Sequence, residues 1–134
     1  MFEIGVIIKL VVAALLGALL GFERQSSKKH AGLRTHVILA LASCVLVVVV
    51  GEAAPQETAR IIAGIVTGMG FIGAGAIMSI ENKVKGITTA ASLWVVTIIG
   101  IIVGLGIYDI AVITTFLVLI VLWLGKFEHK KKLK

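Results

Sequence analysis

Glu23 and Arg24 close one apolar run of this chain, and Arg34 and Thr35 open the next. Lys85 stands just before Thr88 and Thr89, which open another. A carboxylate, cations and hydroxyls therefore collect at the mouths of the runs. Cations beside helix N-termini, whose exposed N–H groups favour negative charge, make a candidate site for an anion or a partner. Thr88 or Thr89 would cap its helix. Arg34 follows Glu23 across a short link, so the two could pair. The alternative is that the cations only set membrane topology and the threonines only cap. Both readings stay open at this point.

Other chemistry is thinly supported. The chain has no Ser/His/Asp set, no phosphate loop and no carboxylate pair inside an apolar run. His30, His36 and His129 are not at ligand spacing and no cysteine pair accompanies them, so they read as interfacial or tail residues. Cys44, the single cysteine, lies inside an apolar run and reads as a small buried hydrophobe. The expectation is a protein that is not an enzyme, with no cofactor and no metal site. Glu3, Glu23, Glu52, Glu57, Glu81, Asp109 and Glu128 all fall at run ends or outside them. Carboxylates that serve an ion pathway face a bundle interior, so a simple cation pore has weak support. Backbone carbonyls at a break among glycines would be the remaining source of oxygens. Arg60 and Glu57 are at helical i,i+3 spacing and read as a solvated pair.

The elements that must position these groups follow from composition. Apolar residues make up 59% of the 134 and charged residues only 15%. A soluble domain is roughly 45–50% apolar, so this is an integral membrane protein. A net charge of +6 suggests nucleic acid, but the basic residues flank apolar runs, where lipid headgroups and topology account for them. No nucleic-acid partner is expected; the bilayer is. The predicted fold is all-α, a polytopic transmembrane helical bundle with spans at about 4–22, 35–51, 61–80, 87–106 and 110–125. These spans form one transmembrane domain over 1–126, followed by a basic cytoplasmic tail over 127–134. Tyr108 and Asp109 mark the turn between the last two spans. The first run is too long for a signal-peptide core, and Lys9 within it is expected to snorkel.

With five spans, all but two of the 13 Lys and Arg residues fall on one side, leaving Lys9 and Arg60 on the other. The N-terminus is therefore expected outside and the C-terminus in the cytoplasm.

The third run is the most unusual. Gly64, Gly68, Gly70, Gly73 and Gly75 lie in a stretch without charge, and an ordinary soluble helix would lose roughly 1 kcal/mol for each relative to alanine. In lipid, small residues let backbones approach closely. Gly64, Gly68 and Gly75 share a helical face. Ala63, Thr67, Gly70 and Ala74 make another. A helix small on several sides is packed on several sides or interrupted, which places this span at the centre. In the fourth run Gly100 and Gly104 lie on one side with Thr97, and in the first Ala13, Gly17 and Gly21 recur every four residues. The fifth run is nearly free of small residues and reads as peripheral and lipid-facing. So short a chain has too few helices to cover every small face, which predicts a homodimer. A faint parallel repeat is also visible, Gly17-Ala18, Glu23 and Gly32–Thr35 against Gly73-Ala74, Glu81 and Gly86–Thr89.

Four segments together resemble the MgtC/SapB family. They are GFERQ at Gly21–Gln25, AGLRTH at Ala31–His36, ARIIAGIVTGMGFIGAGAIM at Ala59–Met78 and VKGITTAASLWV at Val84–Val95. They keep the family's order and spacing over nearly the whole chain. The resemblance implies a bacterial inner-membrane protein of about five spans, linked to magnesium homeostasis and to stress or virulence adaptation. It also implies restraint of a membrane partner, the F-type ATP synthase. Well-known members carry a soluble domain after the last span, where a basic tail stands here. Many have an acid before the proline of the second link, where this chain has Ala54 before Pro55. The leading expectation is a non-enzymatic regulator or adaptor acting by helix–helix contact through the third span. The rival is a small transporter for Mg²⁺ or an anion such as phosphate. It would need a polar cavity between the third and fourth spans, and Gly70–Gly75 unwound.

Overall fold

The computed structural model describes residues 3–131, with their side chains as far as Lys126. Five helices run along the chain: α1 (Ile4–Ser26), α2 (Leu33–Ala53), α3 (Thr58–Gly75), α4 (Ile87–Gly104) and α5 (Tyr108–Lys131). All five are long and apolar enough to cross a membrane. The shortest have 18 residues, or roughly 27 Å at 1.5 Å per residue, close to the thickness of a bilayer core. In lipid a span must satisfy its own backbone, which is why the runs fold as helices. A short 3₁₀ turn, Pro55–Glu57, leads into α3, with the proline at its first position where a missing N–H costs nothing. Glu57 and Arg60 pair there at 2.9 Å.

The centre of the bundle is α4, not the glycine-rich third helix. α4 packs against α1, α2, α3 and α5, whereas α3 leans chiefly on α4. Only Met69 and Gly73 of α3 are buried. The core joins Ala13, Leu16 and Leu20 of α1 to Ala40, Cys44 and Val48 of α2 and Val96, Ile99 and Val103 of α4. Glycine number did not decide the centre; steric fit did. A Cβ on Gly17 would stand 2.9 Å from the Ala40 side chain and one on Gly21 would stand 2.7 Å from Leu33 Cα. On α4, a Cβ at Gly104 would stand 2.9 Å from Val47, and one at Gly100 would collide with Ser43 and Ala40. α2 is thus clasped between small faces of α1 and α4. Buried hydroxyls in these helices bond back to their own backbone, as Ser43 does to Leu39 at 2.8 Å and Thr97 to Leu93 at 3.0 Å.

The third span also ends early. α3 stops at Gly75 instead of continuing to residue 80. The N–H groups of Ala76 and Ile77 tighten onto the carbonyls of Gly73 and Ala74, both at 3.1 Å. The chain then forms a hairpin, β1 (Met78–Ile80) against β2 (Lys83–Lys85). Glu81 and Asn82 at its tip both take left-handed backbone, φ 49° and 61°, the geometry of a two-residue type I′ turn. The turn before α5 is misplaced in the sequence reading as well. Gly106 bends the chain with φ +82°, and Tyr108 and Asp109 already belong to α5, where an acid suits the first turn. α5 continues as helix into the basic run as far as Lys131, and residues 132–134 of the expected tail lie outside the described residues.

Candidate functional site

The last turn of α1 carries the densest polar cluster. Arg24 is buried, 3% exposed, and its Nε donates to Glu23 Oε2 at 2.6 Å. The other carboxylate oxygen, Oε1, accepts from Ser27 Oγ at 2.8 Å and faces Lys126 Nζ at 3.2 Å. Glu23 is thus the hub. It neutralises a buried guanidinium, closes the end of its own helix and ties down α5. A carboxylate in so many charge-assisted contacts is held in one geometry. The anticipated pairing of Glu23 with Arg34 is not what forms. Arg34 is exposed and, among the described residues, makes no ion pair. Arg24, adjacent in sequence, and Lys126, distant in it, take the carboxylate.

A second node joins α2 to α4. His36 is fully buried, contrary to its reading as an interfacial residue. Its Nδ1 lies 2.8 Å from the Gly32 carbonyl and its Nε2 lies 3.1 Å from Ser92 Oγ. Ser92 Oγ in turn lies 2.7 Å from the Thr89 carbonyl. A carbonyl only accepts, so Nδ1 carries a proton. With a neutral ring, the Ser92 O–H turns to Nε2. With a charged ring, Nε2–H donates to Ser92 and the O–H turns to Thr89. The hydroxyl serves either state without moving a helix.

The remaining candidates are dispersed. Thr35 is half-buried and Thr88 exposed. Thr89 is buried, but neither threonine caps α4: Gly86 is the residue before the helix, and no side-chain cap bond forms there. Lys85 lies exposed in β2, cross-strand from Met78. The structure gathers Glu23 and Arg24 with the unanticipated Ser27 and Lys126, and brings Thr89 to His36 and Ser92. Arg34, Lys85 and Thr88 line the outside of this end of the bundle. Among the described residues, no group of three His, Cys, Asp or Glu side chains could hold a metal ion.

The glycines divide sharply. Gly100 and Gly104 face α2 at close range, and Gly73 faces Ala90 of α4 at 3.9 Å. A Cβ built on Gly64, Gly68, Gly70 or Gly75 would meet nothing within 4 Å. The small faces of α3 are open.

Comparison with known proteins is consistent with this plan. The model for the MgtC family matches residues 10–131. Protein MgtC of Salmonella typhimurium strain LT2 is 42% identical over 113 residues, which cover 84% of this chain and 49% of that protein. "Putative magnesium transporter YhiD" of Escherichia coli K12 is 38% identical over 125 residues, covering 87% of this chain and 58% of that one. Protein SrpB of Synechococcus elongatus is 33% identical over 134 residues, covering 89% and 74%. The chain therefore spans about half the length of the MgtC and YhiD proteins it matches. No solved structure matches it.

Proposed function

The chain belongs to the MgtC family, and on that premise we propose that it acts in magnesium homeostasis as a non-enzymatic regulator or adaptor of the bacterial inner membrane. It works by helix–helix contact on the open face of α3. The observation that carries this reading is the contrast between the glycine sets. On α1 and α4 the glycines at the helix contacts are occupied by neighbours within the protomer. On α3, Gly64, Gly68 and Gly75 share a face and have none. Lipid tails are as apolar as any side chain, so what a small face offers in a membrane is close backbone approach. A second copy of the chain is the first occupant of that face. A membrane-embedded partner is the next, with the F-type ATP synthase named by the family resemblance. Stress and virulence adaptation would follow from that contact. The N-terminus lies outside and the C-terminus in the cytoplasm.

The name of the Escherichia coli relative points instead to transport. That alternative called for α3 to unwind between Gly70 and Gly75. The helix is continuous to Gly75, which favours the adaptor.

Two measurements separate the readings. A Cβ at Gly68 meets nothing within 4 Å, so Gly68→Leu should weaken self-association, read by energy transfer between labelled copies in liposomes, with an unchanged melting temperature in detergent checking that the protomer is intact. A loss of about tenfold or more is expected, since a helix dimer that rests on backbone approach cannot absorb a leucine. Undiminished transfer excludes this face as the contact. Flux of Mg²⁺ and phosphate is measured in parallel, with Gly70→Leu and Arg34→Ala. Saturable flux abolished by either variant would overturn the adaptor reading.

A further inference from the structure

The link between α3 and α4 is built far more firmly than a connection needs. Its strands pair in the register Met78 with Lys85, Ser79 with Val84 and Ile80 with Lys83. Its tip is set by two consecutive left-handed residues, Glu81 and Asn82. Its base is set by Gly86, whose φ is +92° and whose absent Cβ would fall on the Ala76 carbonyl. Yet all six strand residues are exposed. A hairpin this short is marginal in water by itself.

The register decides which side chains share a face. Cross-strand partners point the same way and alternate residues point together. Met78, Ile80, Lys83 and Lys85 therefore form one face, with Ser79 and Val84 on the other. The first face combines two exposed aliphatic side chains, 41% and 42% accessible, with two ammonium groups. It joins the end of α3 to the start of α4, two helices long and apolar enough to cross a membrane, so a bilayer spanned by them would put it near the headgroups. Lys28, Lys29 and Arg34, on the link and helix start that share this end, are exposed too. Glu81 at the tip offsets one charge and leaves the hairpin net positive.

We propose that this hairpin is a lipid-docking element. Its Met78/Ile80/Lys83/Lys85 face seats on an anionic leaflet. The aliphatic groups enter the acyl boundary and the lysines reach lipid phosphates. Amphipathic interfacial segments bind membranes through this pairing of apolar area and cationic heads. A protein occupant fits less well. Four side chains fall far short of the roughly 1,200 Å² that a specific protein interface buries. The inference is independent of what covers α3.

The test uses the whole chain carrying Ile80→Cys, labelled with an environment-sensitive fluorophore, in a Cys44→Ala background. It is reconstituted into nanodiscs of phosphatidylcholine alone or mixed with phosphatidylglycerol. Acrylamide, a neutral water-soluble quencher, reports exposure. Each lysine at a surface favours the anionic lipid by about fivefold, equivalent to about 1 kcal/mol. Quenching should therefore drop severalfold with phosphatidylglycerol, and Lys83→Gln/Lys85→Gln should restore the phosphatidylcholine value. Gly86→Ala, which unseats the base, should lose protection with both lysines present. An unchanged melting temperature for the lysine variant confirms that the bundle is folded. Equal quenching in the two lipids, whether strong or weak, overturns the proposal. So does protection by phosphatidylglycerol that survives loss of both lysines.

Discussion

Adding one methyl group has opposite consequences at Gly100 and Gly68. At Gly100 it drives into Ser43 and the backbone of Ala40. Overfilling a packed contact costs about 1–3 kcal/mol, so Gly100→Ala should lower the melting temperature in detergent markedly. Gly68→Ala meets open space and gains helix propensity, up to about 1 kcal/mol, so it should hold or slightly raise the melting temperature. Equal effects of the two would mean that the close fit of α2 against α4 does not hold the bundle. Glu23 allows a similar contrast. Glu23→Gln strands the buried Arg24, and breaking a buried pair costs about 3 kcal/mol or more. Lys126, by comparison, is 43% exposed at its side chain. An exposed partner is screened and contributes under about 1 kcal/mol, so Lys126→Gln should be mild and its effect should fade in salt. Chemical denaturation of the two variants at low and high ionic strength checks the ranking. These distinctions were beyond the sequence. Motif spacing located the polar mouths, but which cations meet Glu23 depends on where α5 places Lys126, a residue far along the chain from it. His36 looked interfacial because its burial arises only in the assembled bundle, where Gly17 and Gly21 of α1 pack closely on it and α4 brings Ser92 against its ring.

Among the elements, the helices were the most legible. Apolar runs of membrane length leave a chain little choice but to form helices, and five such helices are present. The end of α3 was not legible in the same way. Ile77, Met78 and Ile80 are apolar, and hydropathy extended the span through them. The competing signal was local: Glu81-Asn82 as a left-handed pair and Gly86 as a glycine that cannot be replaced. The base of the hairpin offers a direct check. Alanine at Gly86 forces a left-handed backbone costing about 1–2 kcal/mol, in addition to its clash with Ala76. Gly86→Ala should destabilise the protein by at least that amount and speed proteolysis between Ile77 and Lys85, while Gly75→Ala, in open space, should do neither. Similar digestion of the two would show that the hairpin is not held at its base. Glycine density misled the assignment of the centre for a related reason. Composition counts small residues, whereas packing depends on which face a neighbour occupies. Ala13, Gly17 and Gly21 of α1 and the two glycines of α4 outweigh the five glycines of α3 because α2 lies between them.

At the scale of the whole molecule, the ends of α1 and α5 and the hairpin fall on one side of the bilayer by the parity of the spans. That side carries most of the basic residues, which predicts that it is cytoplasmic. Single cysteines at Lys29 and Lys85 should then resist an impermeant thiol reagent in intact cells and react after lysis, whereas one at Gln56 should react in both. Labelling in the reverse pattern would invert the molecule. The clasp around α2 has a consequence for how the protein is made. The sockets that receive this helix come from segments on either side of it in the chain, one already inserted when it arrives and one delivered only after α3 has passed. Until α4 emerges, half of the α2 surface has no protein to meet, and α3 has little to lean on. On this packing, the second and third segments find their full set of contacts only once the fourth is in place. The second and third must wait in the bilayer as unfinished neighbours, which is the interval in which a membrane chaperone or a second nascent copy would find them most receptive.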